Sequence, residues 1–395
     1  MKILIAAELS LIVFLSIYGC QMVIVENLHS VSTMAITTSD KNPTLALSMD
    51  MPANTPANTP VPVILPSTGE FGEKPAEALA YRSPRIVFCG DILLDGSVRR
   101  LIDAEGLDAV FPAQYRAPLL DADIVMVNLE MPFSDRGAPD PDKEYSFRGD
   151  PSGIALLKDM GVSIVSLANN HTLDYGRDAF SDTLELLEGN DIKYVGGGRD
   201  KAQAAQWATF LVEDKKIAFL AASRVIPTID WYATASRSGL FGTYDPAGLN
   251  EQITLAKMES DYVFVYVHWG VERNDYPEEY QREMAYGYID AGADAVVACH
   301  PHVLQGFEYY KDKLISYSLG NFIFTDSKKD TAALEFTING DGSMSARIYP
   351  YEIINRSTVE IGDPEKLEML RGHLNKISFG VEIDDDFNLL NTGSL

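Results

Sequence analysis

Cysteine is scarce in this chain: three among 395 residues, so no disulfide scaffold holds the fold together. Basic side chains are also few. There are 32 Lys and Arg against 57 Asp and Glu, a formal net charge of −25 and a sequence pI near 4.5. That deficit excludes a nucleic-acid binder, which needs a basic footprint, and gives no long-range attraction to an anionic surface or polymer. Beyond the N-terminus there is no second long apolar run, so nothing later in the chain reads as a membrane span. What is present is ample core material. Hydrophobic residues make up 46% and aromatics 10%, enough for one large α/β domain or two smaller ones.

The first twenty residues read as an address. Met1-Lys2 is a minimal positive start, and Ile3 to Tyr18 is mostly apolar. The run closes on Ile17-Tyr18-Gly19-Cys20. A short apolar run ended by a small residue and a cysteine resembles a bacterial lipoprotein signal, in which cleavage leaves Cys20 to carry lipid. Glu8 inside the run disagrees with it, and an uncleaved anchor reaching about Val25 is the alternative. Either way the rest of the chain is expected at the cell membrane, on its extracytoplasmic face. Residues 21–81 read as a disordered Pro/Thr-rich tether: Pro52-Ala53-Asn54-Thr55 repeats at once as Pro56-Ala57-Asn58-Thr59, followed by Pro60, Pro62 and Pro66.

From Arg85 short apolar runs alternate with helical spacing. Strands are expected at Ile86–Cys89, Ile124–Val127, Ser163–Leu167, Lys216–Ala222, Tyr262–Val267 and Ala295–Ala298, then Lys313–Tyr317, Ala333–Ile338 and Ser345–Tyr349. Helices are expected at Gly153–Met160, Arg177–Glu188, Pro246–Met258, Pro277–Ala291 and Pro364–Lys376. The alternation implies an α/β fold with a mixed sheet. Residues 82–356 form the expected domain. Residues 357–395 are expected to add a last helix and an acidic tail, frayed after Phe379.

Polar residues cluster where these runs stop. Asp91, Asn128, Glu130, Asn170, His171, His268, His300 and His302 each follow a strand, and ligands of α/β sheets bind beyond the carboxyl ends of the strands. Imidazoles with carboxylate and amide oxygens suit Zn, Mn or Fe, as one ion or two. His300-Pro301-His302 in an extended segment would turn both rings to one side. A carboxylate shared between two ions about 3.5–4 Å apart suits activation of a water, and His171 is the candidate general acid. Glu272 either orients His268 or meets a substrate amine, unless it is simply solvated. Asp174 is expected to cap the helix after Gly176. Arg148 is a surface arginine or a clamp for a substrate carboxylate. Asn321 can hydrogen-bond the rim. Cys89 and Cys299 read as small buried hydrophobes.

Six motifs occur in order: Gly90-Asp91-Ile92-Leu93, Asn128-Leu129-Glu130-Met131-Pro132, Asn169-Asn170-His171-Thr172-Leu173-Asp174-Tyr175-Gly176, His268-Trp269-Gly270-Val271-Glu272, His300-Pro301-His302-Val303-Leu304-Gln305 and Ser318-Leu319-Gly320-Asn321-Phe322. Together they resemble the CapA-type (PgsA) poly-γ-glutamate and capsule biosynthesis proteins, from about Arg85 to Phe324 and more weakly to Asn355. That resemblance implies a metallophosphatase-like α/β sandwich with mixed sheets, of the calcineurin-like metallophosphoesterase kind, with a dimetal rim. By motif position it implies metal ligands Asp91, Glu130, Asn170, His268, His300 and His302, and His171 as general acid. Leu93 stands where the first-motif histidine belongs, and Glu130 is longer than the usual aspartate. A single ion, or a weakly held second one, therefore fits as well.

The implied role is polymer export or processing beside membrane-embedded polyglutamate synthase components. The rim would be a metal-dependent hydrolase, phosphoesterase-like or amide-cleaving. The alternatives are a non-enzymatic polymer-binding module with a relic rim, or a metallophosphoesterase of unrelated substrate. Poly-γ-glutamate is itself a polyanion and should be repelled by a body at −25. Two dications would put a local charge of about +4 at the mouth, so metal occupancy decides whether the polymer can approach.

Overall fold

A computed structural model describes residues 82–393. The signal, Cys20 and the tether lie outside the described residues. Among the described residues no helix is long and apolar enough to cross a membrane.

The first sheet begins with four parallel strands, β1 (Arg85–Ile92), β2 (Ile124–Leu129), β3 (Ile164–Ser166) and β4 (Lys193–Val195). A two-residue strand, β5 (Gly197–Gly198), follows. The hairpin of β6 (Ala208–Val212) and β7 (Lys215–Ser223) opens the second sheet. After β8 (Gly239–Leu240), which pairs with β5, the second sheet gains β9 (Tyr262–His268), β10 (Ala295–Cys299), β11 (Phe307–Tyr310) and β12 (Lys313–Ser316). Its order is β11-β12-β10-β9-β7-β6, with the four central strands parallel. The chain then returns to the first sheet with β13 (Asn321–Ile323), β14 (Lys328–Ile338), β15 (Met344–Ile354) and β16 (Ser357–Glu360), giving β16-β15-β14-β1-β2-β3-β4 with β13 also on β1.

The side-chain period of two sorts these strands into layers. Ile86, Phe88, Ile124 and Met126 face Ile217, Phe219, Phe264 and Tyr266 of the other sheet. Phe88 lies 5.4 Å from Phe264 and 5.8 Å from Phe336, ring centre to ring centre. The alternate residues Val87, Cys89, Val125 and Val127 meet Leu156, Leu157, Phe180 and Leu184 of helices on the first sheet's outer face. Val263, Val265 and Val296 meet Leu249, Ile253, Met284 and Tyr288 on the second's. Two central sheets flanked by helices are thus the α/β sandwich with mixed sheets that the strand–helix alternation implies.

The end of the chain corrects one expectation. Past Phe379 the backbone forms a hairpin, β17 (Val381–Ile383) with β18 (Leu389–Asn391), instead of fraying. Val381, Ile383, Phe387 and Leu389 are buried in the core between the sheets, as are Leu370, Leu374 and Ile377 of helix Pro364–Ile377. β16 pairs with β15, so residues after 356 continue the same core.

Candidate metal centre at the strand-end rim

The parallel strands of both sheets deliver their C-terminal residues to one rim. Asp91 near the end of β1 pairs in register with Asn128 of β2 and with Asn321 of β13. The register of β1 on β2 shifts between Phe88 and Asp91, a bulge that re-aims Asp91. Gly90 in that bulge has no room for a side chain: a Cβ there would sit 1.8 Å from the Gly320 carbonyl oxygen. The same close approach lets the Asp91 N–H donate to Gly320 O at 2.9 Å.

The charged groups at the rim are buried. Asp91, Glu130 and His268 have no exposure, and His300 has 5%. Asn128 Nδ2 donates to Asp91 Oδ1 at 2.8 Å and also to Glu130 Oε2. Asn169 steadies Asn128 from behind, Nδ2 to Oδ1 at 3.1 Å. His268 Nε2 lies 2.7 Å from Asn170 Oδ1 and 3.7 Å from Glu130 Oε1, with the His300 ring 4.7 Å away. His302 Nδ1 lies 2.7 Å from Asn321 Oδ1 and 3.5 Å from Asp91 Oδ2. The polar atoms therefore form two linked groups. Contacts of His268 join Glu130, Asn170 and His300, and contacts of His302 join Asp91 and Asn321, while Asp91 also comes within 4.8 Å of His268. Leu93 is fully buried in the helix-side core and offers no donor, so the second group is the poorer one.

Three atoms decide what this rim can hold. Asp91 Oδ2, Glu130 Oε1 and His300 Nδ1 are buried with no hydrogen-bond partner. A buried polar atom left unpaired costs about 1–3 kcal/mol, and more if charged. His302 Nδ1 stands 3.5 Å from Asp91 Oδ2 and His268 Nε2 3.7 Å from Glu130 Oε1, so two carboxylate oxygens and an imidazole nitrogen along this rim are left short of partners, the donor set a divalent cation satisfies. Asp91, His268 and Cys299 also present ligand atoms within 4.8 Å of one another. Cys299 carries a free buried thiol, as does Cys89.

The electrostatics agree. Burial and then the Asp91 charge push Glu130 well above the usual carboxylate range. Burial acts on Asp91 the same way, but the close approach and charge of His302 outweigh it and hold Asp91 low. Burial, then His300 and His302, push His268 well below an ordinary imidazole. Burial followed by His302 lowers His300 to about 3. Burial also opposes charge on His302, yet contact with Asp91 raises it to about 9. Without a cation the site thus favours a proton on His302 beside Asp91, resists charge on Glu130, and keeps His268 and His300 neutral and ready to ligate.

His171 stands beside Asn170 but belongs to a different set. Its Nδ1–H donates to Asp174 Oδ2 at 2.7 Å, because an ionised carboxylate can only accept. Lys143 Nζ donates to the other Asp174 oxygen and to Asn170 O at 2.5 Å. Phe147 N–H donates to Asp174 at 2.8 Å, and the Phe147 ring lies 4.5 Å from the imidazole. Among the described residues no group bonds His171 Nε2. Burial lowers the His171 pKa despite Asp174, so the ring is neutral near pH 7. Asp174 therefore does not cap helix Gly176–Glu188, whose N-cap is Tyr175 without a side-chain bond. Asp174→Ala is expected to strand Lys143 and His171, at about 3–5 kcal/mol of stability for a broken buried pair, read by denaturant unfolding.

For Glu272 and Arg148 the structure favours the plainer reading, and for His300 and His302 it departs from the expected extended backbone. Glu272 is exposed and is not brought to His268, whose nitrogens face Cys299 and Asn170. Arg148 donates to the Arg136 carbonyl at 3.0 Å and stacks 4.4 Å over Tyr175, so it is committed away from the rim. His300 and His302 are not extended: their φ values are 99° and 58°, left-handed backbone that non-glycine residues adopt at a cost. That geometry, not strand alternation, turns both rings inward. Lys143 escaped the sequence reading because it sits in a loop 31 residues from Asp174 with no pattern to mark it.

Residues 85–326 match the family model of the bacterial capsule synthesis protein PGA_cap, well over half of the chain. The chain belongs to this capsule synthesis family. It is 32% identical over 272 residues to the PGA biosynthesis protein CapA of Bacillus subtilis, covering 67% of this chain and 70% of that one. It is 31% identical over 275 residues to the capsule biosynthesis protein CapA of Bacillus anthracis, covering 67% and 66%. A probable polyglutamine synthesis accessory protein of Mycobacterium tuberculosis matches at 26% over 284 residues, covering 66% and 74%. Solved structures resemble the fold more distantly. NAD nucleotidase of Haemophilus influenzae gives a TM-score of 0.43 at 14% identity over 75% of this chain and 64% of its own. A hypothetical protein from Thermus thermophilus gives 0.42 at 17%, over 67% and 99%. All six motifs of the rim fall inside the family match.

Proposed function

We propose that this member of the capsule synthesis family works in poly-γ-glutamate or capsule biosynthesis, tethered outside the cytoplasm through Cys20 or an N-terminal anchor. Its rim would be a metal-dependent hydrolase site that trims or releases polymer beside membrane-embedded synthase components. The observation carrying this reading is the set of three buried, partnerless atoms, Asp91 Oδ2, Glu130 Oε1 and His300 Nδ1, at the ends of parallel strands.

Glu130, Asn170, His268 and His300 would hold one divalent ion, and Asp91 with His302 a second. An ion held there would supply Lewis-acid polarisation of a carbonyl or phosphoryl oxygen and a water activated near pH 7. His171 Nε2, bare while Nδ1–H faces Asp174, would first take a proton from the attacking water and then hand it to the leaving atom, nitrogen for a γ-glutamyl amide or oxygen for a phosphoester. Asp174 fixes its tautomer and orientation. Lys143 in turn holds Asp174, so that carboxylate stays an acceptor.

Metal-replete protein incubated with poly-γ-glutamate is expected to shorten the polymer on size-exclusion chromatography, and a chelator to stop it. Deleting the gene in a producing strain is expected to change surface polymer; an unchanged capsule would remove the biological role. A second reading has its own support in Leu93, which leaves the Asp91 and His302 group one ligand short. With that group empty, a single ion would bind the polymer without cleaving it.

A further inference from the structure

A mouth that accepts a polyanion needs cations other than the metal, and Arg148, for which a clamp was one of two readings, is engaged elsewhere. Two other arginines stand at the rim. Arg224 directly follows β7, whose last residue, Ser223, is in register with His268. Its backbone N–H donates to the His268 carbonyl at 2.8 Å, so its Cα is fixed next to a metal-site histidine. Arg273 lies in the loop after β9, at a φ of 62°, and its N–H donates at 2.8 Å to the carbonyl of Pro301, the residue between His300 and His302. Each arginine is thus tied by its main chain to a different wall of the site.

Neither guanidinium has a hydrogen bond or an ion pair within the described residues. That is unusual company in a chain with 57 acidic side chains. Arg85, Arg199 and Arg282 are each held by a glutamate. Arg224 is instead stacked on aromatics, 3.1 Å from the Tyr244 ring centre and 5.1 Å from that of Tyr280. Tyr280 Oη in turn accepts from Gly270 N–H at 2.8 Å, two residues beyond His268. A guanidinium flat against a ring keeps its in-plane N–H groups free for a planar acceptor. Tyr145, Tyr244 and Tyr276 are 62%, 67% and 46% exposed, on the loops after β2, β8 and β9.

We propose that Arg224 and Arg273 are carboxylate clamps of a polymer-binding mouth, holding the free carboxylates of a γ-linked glutamyl chain on either side of the metal rim. This rests on the reading given under Proposed function and names its specificity residues. Such a chain carries one free carboxylate per unit, the planar, two-oxygen acceptor that a guanidinium fork matches bidentately. The exposed tyrosines offer flat apolar faces to its methylene segments. The acidic body repels the polymer elsewhere, so attraction is confined to the mouth.

Calorimetry of the metal-loaded full chain with a γ-linked glutamate decamer tests the assignment. Arg224→Gln and Arg273→Gln are each expected to weaken binding about tenfold, as loss of a charged hydrogen bond does, and the double variant about 100-fold. Arg224→Lys keeps the charge but not the fork, and is expected to recover only part of the loss. Metal content is expected to stay at the wild-type level and melting temperature close to it, because among the described residues neither guanidinium makes a hydrogen bond or ion pair. Inorganic phosphate serves as the competing anion. Binding that resists millimolar phosphate marks a polymer site, whereas displacement of the decamer by phosphate alone would overturn the carboxylate assignment. A double variant that binds the decamer as tightly as wild type would refute the clamp and leave the metal reading standing. A metal-loaded wild type that does not bind the decamer would refute the polymer reading, and the clamp with it.

Discussion

His300→Ala is expected to empty the richer metal group, lowering bound transition metal by far more than the about 10–100-fold typical of losing a supporting residue. His300 Nδ1 is buried, unpaired and close to a neutral His268, so the ring has no structural partner to lose. Its removal therefore falls on metal binding and leaves the fold of the metal-free protein intact. Asn321→Ala provides the graded comparison. Asn321 accepts from His302 Nδ1 at 2.7 Å and donates to Asp326 at 2.6 Å, so it orients a ligand without being one. Its loss is expected to cost metal affinity about 10–100-fold. Glu130→Gln separates metal binding from stability. Glu130 is buried beside a charged Asp91 with one oxygen unpaired, so removing its charge is expected to raise the melting temperature of the metal-free protein. The same change is expected to abolish the further rise that added metal gives to wild type. A Glu130→Gln protein that melts lower without metal and still gains stability from it would contradict the account.

Deleting residues 380–395 is expected to leave a chain with no cooperative unfolding transition. The deletion removes Val381, Ile383, Phe387 and Leu389, all buried between the sheets. At about 1.5–3 kcal/mol for each buried side chain, the loss is roughly 6–12 kcal/mol, which rivals the whole stability of a typical domain. Main-chain bonds go as well: Phe387 O accepts from Ile348 N–H at 3.0 Å, and Leu389 O from Tyr309 Oη at 2.9 Å. Ile383→Ala is the milder test, expected to cost about 2–5 kcal/mol in denaturant unfolding. A truncated chain with near-native aromatic circular dichroism and an unshifted melt would show that the hairpin is dispensable.

That hairpin marks a limit of the sequence. Asp384-Asp385-Asp386 reads as a solvated acidic tail. In the fold Asp384 closes a turn by accepting from the N–H groups of Asp386 and Asn388 at 3.0 and 2.8 Å. Strands of three residues are too short for alternation to register. The rim was far more legible. Apolar runs ending in Asp91, Asn128–Glu130, Asn170–His171, His268 and His300–His302 belong to parallel strands, whose carboxyl ends share an edge, so residues 211 positions apart meet. What stayed hidden depends on loops. Lys143 and Arg224 carry no periodicity, and the left-handed backbone at His300 and His302 departs from the extended form that the sequence suggests. Asp174 was visible but misassigned, because a helix cap and a histidine partner share the same residue type and position.

The most direct test of the central claim is the metal content of the protein, purified under metal-replete conditions and measured by elemental analysis beside His300→Ala. The account predicts about one to two transition-metal ions per wild-type chain, as mono- and dimetal sites hold, and close to none in the variant. A wild-type chain without bound metal, or a His300→Ala chain that keeps its full complement, would contradict it.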